Sequence, residues 1–248
     1  MATFKEIRKN SIHKERLLIV ILFCLILLTI SGFLIYVSDY YPARNATAKA
    51  LLSDASVTVT KRSDHSYLFT PESGADRGLV FYPGGKVEYT AYAPLMHELA
   101  EQGWLCVLLK MPFHLAVFDA DAGDDIPEEF PQIDSWYIGG HSLGGSMAAS
   151  CVADNDDYVG LVLLASYSTA DLSQSGLEVY SVYGSEDQVL NMENYEKYRK
   201  NLPTDIKELI IEGGCHAFFG DYGVQDGDGI PSITLDEQIR HTVDFLKY

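Results

Sequence analysis

At 248 residues, 47% of them apolar, with a formal net charge of −17, the chain is long enough for one compact domain plus an appendage. So strong an acidic balance repels phosphate backbones and excludes nucleic acid as a partner. The four cysteines, Cys24, Cys106, Cys151 and Cys215, show no C-x-x-C and no metal-like spacing, so neither a disulfide framework nor a resident metal is expected, and no cofactor is implied.

Leu17 to Val37 carries no charge over a length that, as a helix, covers a hydrocarbon core of about 30 Å. Lys5, Arg8, Lys9, Lys14 and Arg16 precede it against Glu6 and Glu15, and Asp39, Tyr40 and Tyr41 follow. Basic residues stay on the cytoplasmic side and tyrosines suit the headgroup layer. The expectation is a cytoplasmic segment at 1–16, one transmembrane helix at 17–37 holding the protein at the cell membrane, and an extracytoplasmic remainder. A cleaved signal peptide is the rival, but its apolar core would run only about 7–15 residues and end in a small-x-small site, which this stretch lacks. Because residues 1–37 are net positive, the remainder carries about −20. Residues 38–56 read as a linker with a short helix near Ala46–Leu52.

From residue 57 to 248 the pattern is one domain in which strands alternate with helices. Val57–Lys61 and Tyr67–Thr70 resemble two strands around a turn, and Leu79–Tyr82 is a strand stopping in Pro83, Gly84, Gly85 and Lys86. A helix over Tyr92–Gln102 ends at Gly103, and Leu105–Leu109 follows as a buried strand. After the acidic passage Asp119–Asp134 come a strand through Trp136, Tyr137 and Ile138, a small-residue helix from Ser146, strands at Gly160–Ala165, Leu177–Tyr183 and Lys207–Glu212, and helices at Met192–Asn201 and Leu235–Leu246. Strands that read as unbroken apolar runs belong to a mostly parallel sheet covered by helices on both faces.

Gly140, Ser142 and Gly144 fit G-x-S-x-G, the turn that lifts a serine hydroxyl above a sheet edge between a strand and a helix. A serine hydroxyl is a poor nucleophile and needs a base, and the base needs an acid to fix its tautomer. Of seven histidines, only His216 lies in a loop after a late strand and downstream of a candidate acid. Asp187, in G-S-E-D-Q-V-L at a strand end, competes for the acid position with Glu186 and Asp171. Backbone donors to a developing oxyanion are expected at Leu143, the first residue after the nucleophile, and at Gly85 or Lys86. Phe113, His114, Phe218, Phe219 and Tyr222 are candidates to line the substrate. The acidic loop Asp221–Gly229 invites a calcium reading, but it lacks the ligand positions and closing Glu of an EF-hand, and a turn-rich flank of the site is preferred.

The segments Y-P-G-G-K, G-H-S-L-G-G, G-S-E-D-Q-V and G-G-C-H-A-F-F-G-D-Y-G, in this order, resemble the α/β-hydrolase superfamily, and within it the compact group similar to dienelactone hydrolase. The resemblance covers about residues 57 to 248 and implies an α/β-hydrolase fold, with Ser142 as nucleophile, Asp187 as acid and His216 as base. Dienelactone hydrolase carries a cysteine where this chain has Ser142, so the lactone substrate is not carried over. Only Ser166–Gly176 separates the strand after the elbow helix from the next one, too short for a helical lid. The expected activity is a membrane-anchored serine esterase acting on small or exposed acyl groups of a small-molecule ester. A catalytically silent binding module, or a thioesterase or peptidase on the same residues, is the alternative.

Overall fold

The computed structural model describes residues 4–247, with side chains from Arg16 onward. The basic residues Lys5, Arg8, Lys9 and Lys14, on which the expected orientation rests, lie outside the described side chains. Two compact units, Met1–Asp39 and Tyr40–Tyr248, make up the chain. The first is a single helix, α1 (Phe4–Ser38), whose Arg16–Ser38 stretch of 23 residues, with a mean hydropathy of 3.1 over an 18-residue window, is long and apolar enough to cross a membrane.

In the second unit eight strands form one sheet in the order β1-β2-β4-β3-β5-β6-β7-β8. β1 (Val57–Lys61) and β2 (Tyr67–Pro71) make an antiparallel hairpin, and β2 also runs antiparallel to β4 (Trp104–Leu108). From β4 onward the neighbours are parallel: β3 (Arg77–Tyr82), β5 (Ser135–His141), β6 (Tyr158–Leu164), β7 (Glu178–Gly184) and β8 (Lys207–Ile211). The unbroken apolar runs have the cause expected of them, since every residue of β4 is buried and the sheet has a core on each face. Alternation along β3 sends Leu79 and Phe81 to one core and Val80 and Tyr82 to the other.

Helices α2 (Asn45–Ala50), α3 (Ala93–Glu101), α4 (Ile126–Glu129), α5 (Leu143–Val152), α6 (Met192–Tyr198) and α7 (Leu235–Leu246) complete the unit. One core takes Leu95, Met96 and Leu99 of α3 with Ile239, Val243 and Leu246 of α7; the other takes Ala148, Ala149 and Val152 of α5. Helix α7 starts at a capping box in which Thr234 and Glu237 satisfy each other's backbone amides. Helix α4 is one turn within the acidic passage, too short to show helical spacing in the sequence.

Residues 40–51, within the expected linker at 38–56, hold the expected short helix as α2 and are bonded to the domain. They cross the domain as a strap: the Tyr41 amide donates to the Lys86 carbonyl at 2.7 Å, and the Glu88 amide donates to the Tyr41 carbonyl at 2.9 Å. Further along, the Arg44 amide donates to the Asp221 carbonyl at 2.8 Å, and the Thr47 amide to Asp221 Oδ2 at 3.0 Å. Most of these are backbone hydrogen bonds, which leave no side-chain pattern in a sequence.

Candidate active site

The C-terminal ends of the parallel strands carry the candidate chemistry, as the crevice of an open α/β sheet should. Ser142 joins β5 to α5 at φ 52° and ψ −122°, a conformation that L-residues avoid unless their surroundings impose it. The surroundings are backbone. A Cβ on Gly140 would stand 2.5 Å from the Tyr82 carbonyl oxygen, and one on Gly144 would stand 2.3 Å from those of Tyr82 and Pro83. Only glycine at both positions lets β5, β3 and α5 close around the serine. The Ser142 amide donates to the Leu164 carbonyl at 2.9 Å, and Ser166 Oγ donates to the Ser142 carbonyl at 2.7 Å, so the turn is held from β6 as well.

Asp187 and His216 arrive from the loops after β7 and β8. His216 Nδ1 and Asp187 Oδ2 are 2.8 Å apart, with side chains 2% and 1% exposed. The other carboxylate oxygen of Asp187 accepts the amides of Val189 and Leu190 at 2.9 and 2.8 Å, so the carboxylate is oriented with Oδ2 as acceptor towards the ring and the His216 proton sits on Nδ1. Nε2 then carries the lone pair, and it has no hydrogen-bond partner among the described residues. His216 and Ser142 line one cavity of about 230 Å³, without a hydrogen bond between them. Such bonds are commonly long in enzymes without substrate and tighten on binding. Of the rival acids, Glu186 accepts the Ser185 hydroxyl and Asp171 the Ser173 amide; neither contacts His216.

The loop carrying His216 is braced from α7. Gln238, fully buried, accepts the Cys215 amide through Oε1 at 3.0 Å and donates Nε2 to the Cys215 carbonyl at 2.8 Å. Burial, followed by the nearby Asp228 charge, pushes the Cys215 thiol up to about 12, so this cysteine beside the histidine stays a protonated, unreactive thiol.

Of the three expected oxyanion donors, two are available. Leu143 supplies the first amide of α5, which has no intrahelical acceptor, and the Gly85 amide donates to no other group among the described residues. The two residues are close neighbours, since a Cβ on Gly85 would lie 2.9 Å from Leu143 Cδ2. The Lys86 amide is a correction: it donates to the His114 carbonyl at 2.8 Å and is not free to serve.

Beneath this loop sits His141, the residue before the serine. Its Nδ1 is 2.7 Å from the Tyr92 hydroxyl, which also accepts the Gly84 amide at 3.0 Å. Burial raises the pKa of the Tyr92 phenol, which keeps its proton and donates it to Nδ1. Burial and then the neighbouring His216 hold the His141 imidazole well below its ordinary range, so it stays neutral.

The expected substrate-lining aromatics do not line the cavity. His114 stacks on Tyr40 with ring centroids 4.1 Å apart, Phe113 packs edge-on against Phe118, and Phe219 and Tyr222 are buried in the core around His141. Phe218 packs against the same core. The walls are instead Ser146, Ala165, Ser166 and Tyr167, with Val189, Leu190 and Asn191 opposite. Their signal in the sequence was position: most stand directly after β6 or in the loop that holds the acid. Residues 165–177 contain no helix, as their length implied.

Among the described residues, one group of ionisable side chains comes close enough to share an ion, Asp54, His97 and Glu101. The carboxylates pair with opposite nitrogens of the ring, Asp54 with Nε2 at 3.5 Å and Glu101 with Nδ1 at 3.8 Å. In the acidic loop, Asp221 and Asp228 face amide donors, which is the environment of a loop brace and not of a cation.

The sequence matches a model of the Alpha/beta hydrolase family over residues 78–240. No curated protein matches it. Among solved structures it is similar to TT1662 from Thermus thermophilus (TM-score 0.58, 16% identity, 77% of this chain and 97% of that one). It is also similar to the sugar hydrolase YeeB from Lactococcus lactis (0.55, 16%, 77% and 97%) and to the thermophilic esterase Est2 from Thermogutta terrifontis (0.51, 15%, 77% and 90%). At these identities the solved structures speak for the fold, and the family match, running from β3 into α7 and taking in the elbow and both loops, makes this chain a member of the alpha/beta hydrolase family.

Proposed function

We propose that the protein is a membrane-anchored serine hydrolase that cleaves carboxylic esters of short acyl groups through an acyl-enzyme intermediate. The observation that carries this reading is the buried Asp187–His216 pair at 2.8 Å, whose Nε2 has no hydrogen-bond partner among the described residues and whose imidazole belongs to the cavity that Ser142 also lines. In the first step Ser142 Oγ attacks the ester carbonyl while His216 Nε2 takes its proton, and Asp187 stabilises the imidazolium. The carbonyl oxygen becomes an oxyanion against the amides of Leu143 and Gly85, where the start of α5 favours negative charge. His216 gives the proton to the leaving alkoxide as the bond between it and the carbonyl carbon breaks, then draws a proton from water as that water attacks the acyl-Ser142 carbonyl; the bond to Ser142 Oγ breaks, His216 gives that proton to Oγ, and the carboxylic acid departs.

The cavity, at about 230 Å³, lies below the usual size range of sites for drug-sized ligands, which favours short acyl chains. Est2, a structural neighbour, is an esterase, which agrees with ester chemistry on this scaffold. Helix α1 serves as the anchor in this reading, with the catalytic unit outside the cytoplasm. A reporter fused after the last residue should then be active only outside.

The test is a panel of p-nitrophenyl esters of increasing chain length, run on the full chain in detergent. Turnover should be greatest for acetyl and butyryl esters, fall for long chains, and vanish in Ser142→Ala. No turnover of any ester, or turnover undiminished in Ser142→Ala, would overturn the proposal and favour a silent scaffold.

A further inference from the structure

We infer that Asp228, in the acidic loop, is the positioning residue for His216, an inference that rests on the catalytic reading of Ser142, Asp187 and His216. The loop Asp221–Gly229 carries acidic side chains that the chemistry above leaves unused, and its geometry assigns one of them a task. Asp228 Oδ1 accepts the His216 amide at 3.2 Å and the Gly229 amide at 2.9 Å, and Oδ2 accepts the Ala217 amide at 2.9 Å. The Gln188 amide, next to the acid, points at the same Oδ1 at 3.4 Å. One carboxylate therefore joins the segment that holds the base, the segment that holds the acid, and its own loop.

Asp228 is itself fixed in place. A Cβ on Gly229 would stand 1.8 Å from the Glu186 carbonyl oxygen, so the loop lies directly on the acid segment and only glycine permits it. At the other end the Asp226 amide donates to the Tyr41 hydroxyl at 3.1 Å, and the Tyr222 hydroxyl donates to Gln225 Oε1 at 3.0 Å. The imidazole of His216 has one side-chain bond, to Asp187, which fixes the ring's tautomer and tilt. How far the ring reaches into the cavity depends on the backbone from which it hangs, and Asp228 grips that backbone on both sides of the His216 Cα. Substitution should therefore displace Nε2 while leaving the acyl cavity intact.

The test compares wild type, Asp228→Ala, Asp228→Asn and Ser142→Ala in the full chain, with a short-chain p-nitrophenyl ester as substrate. A displacement of the base of around 1 Å costs on the order of 100-fold in rate, so Asp228→Ala should lose about that in kcat with KM little changed. Asn retains one acceptor oxygen but turns an N–H towards another N–H, so Asp228→Asn should fall between Ala and wild type. The rate of fluorophosphonate labelling should follow kcat across the series. A thermal melt of each variant separates displacement from unfolding. If Asp228→Ala does not fold, Asp228→Asn decides alone: reduced kcat at unchanged KM and a near-native melt supports the inference. Wild-type kcat in Asp228→Asn, or a loss confined to KM, overturns it. Undiminished turnover in Ser142→Ala would instead remove the catalytic reading, whatever Asp228 does.

Discussion

The serine turn and the histidine loop meet at one cavity, yet they are held in opposite ways. Ser142 is set by local backbone sterics: Gly140 and Gly144 stand so close to the Tyr82 and Pro83 carbonyls that the chain has one path through the turn. His216 hangs on hydrogen bonds from distant parts of the sequence, with Gln238 bracketing Cys215 from α7 and Asp228 accepting the His216 and Ala217 amides from a later loop. The lesson is that the nucleophile can be located from five consecutive residues, whereas the base acquires its position only once the whole domain has closed.

Among substitutions that keep Ser142, the heaviest loss should follow from replacing the acid. Asp187→Asn keeps the shape of the pair but can leave His216 in the wrong tautomer, and kcat should fall by about 10⁴ with a near-native melting temperature. Steady-state kinetics on the full chain measure it, and a loss below tenfold would detach Asp187 from the reaction. Next comes Gly140→Ala, which attacks the serine side of the comparison. The new Cβ meets backbone that cannot yield, so stability should fall by about 1–3 kcal/mol, and the displaced Ser142 should lose activity along with it. Urea unfolding measures the first and ester turnover the second. By contrast, the Asp228 substitutions should cost activity well beyond any cost in stability, and an equal pattern in both sets would erase the distinction.

The smallest effect is the pH dependence carried by His141. Its folded pKa is depressed by burial, so below about pH 6.5 the unfolded chain takes up a proton that the folded chain refuses. Unfolding then gains proton uptake, and the His141 contribution to stability is present in full above pH 6.5 and lost as pH falls towards the folded value. His141→Asn retains an acceptor for the Tyr92 hydroxyl but does not titrate. The difference in unfolding free energy between pH 7.5 and pH 5 should be smaller in that variant than in wild type. Equal pH dependence would mean that His141 does not stay neutral.

What could be read from the sequence divides along the same line. Strand and helix order followed from apolar runs and helical spacing, and the positions of Ser142, Asp187 and His216 followed from loops at strand ends. The cavity walls did not, because an aromatic residue such as Phe219 or Tyr222 has the same composition signal whether it faces a substrate or packs on His141. Nor did the role of Lys86, whose amide is taken by the His114 carbonyl across a contact between two loops. The strap at Tyr41–Thr47 reads as a linker because its bonds are mostly backbone ones. Asp228 showed only as one acid among several, since spacing reveals a carboxylate and not the amides it faces.

Whether Ser142 is the nucleophile is decided by mass-spectrometric mapping of the adduct formed when the full chain reacts with a fluorophosphonate. A single phosphonylated peptide is expected, with the modification on Ser142, absent in Ser142→Ala and strongly reduced in His216→Ala. A modification on another residue, or one on Ser142 whose rate is unchanged in His216→Ala, would contradict the proposed mechanism.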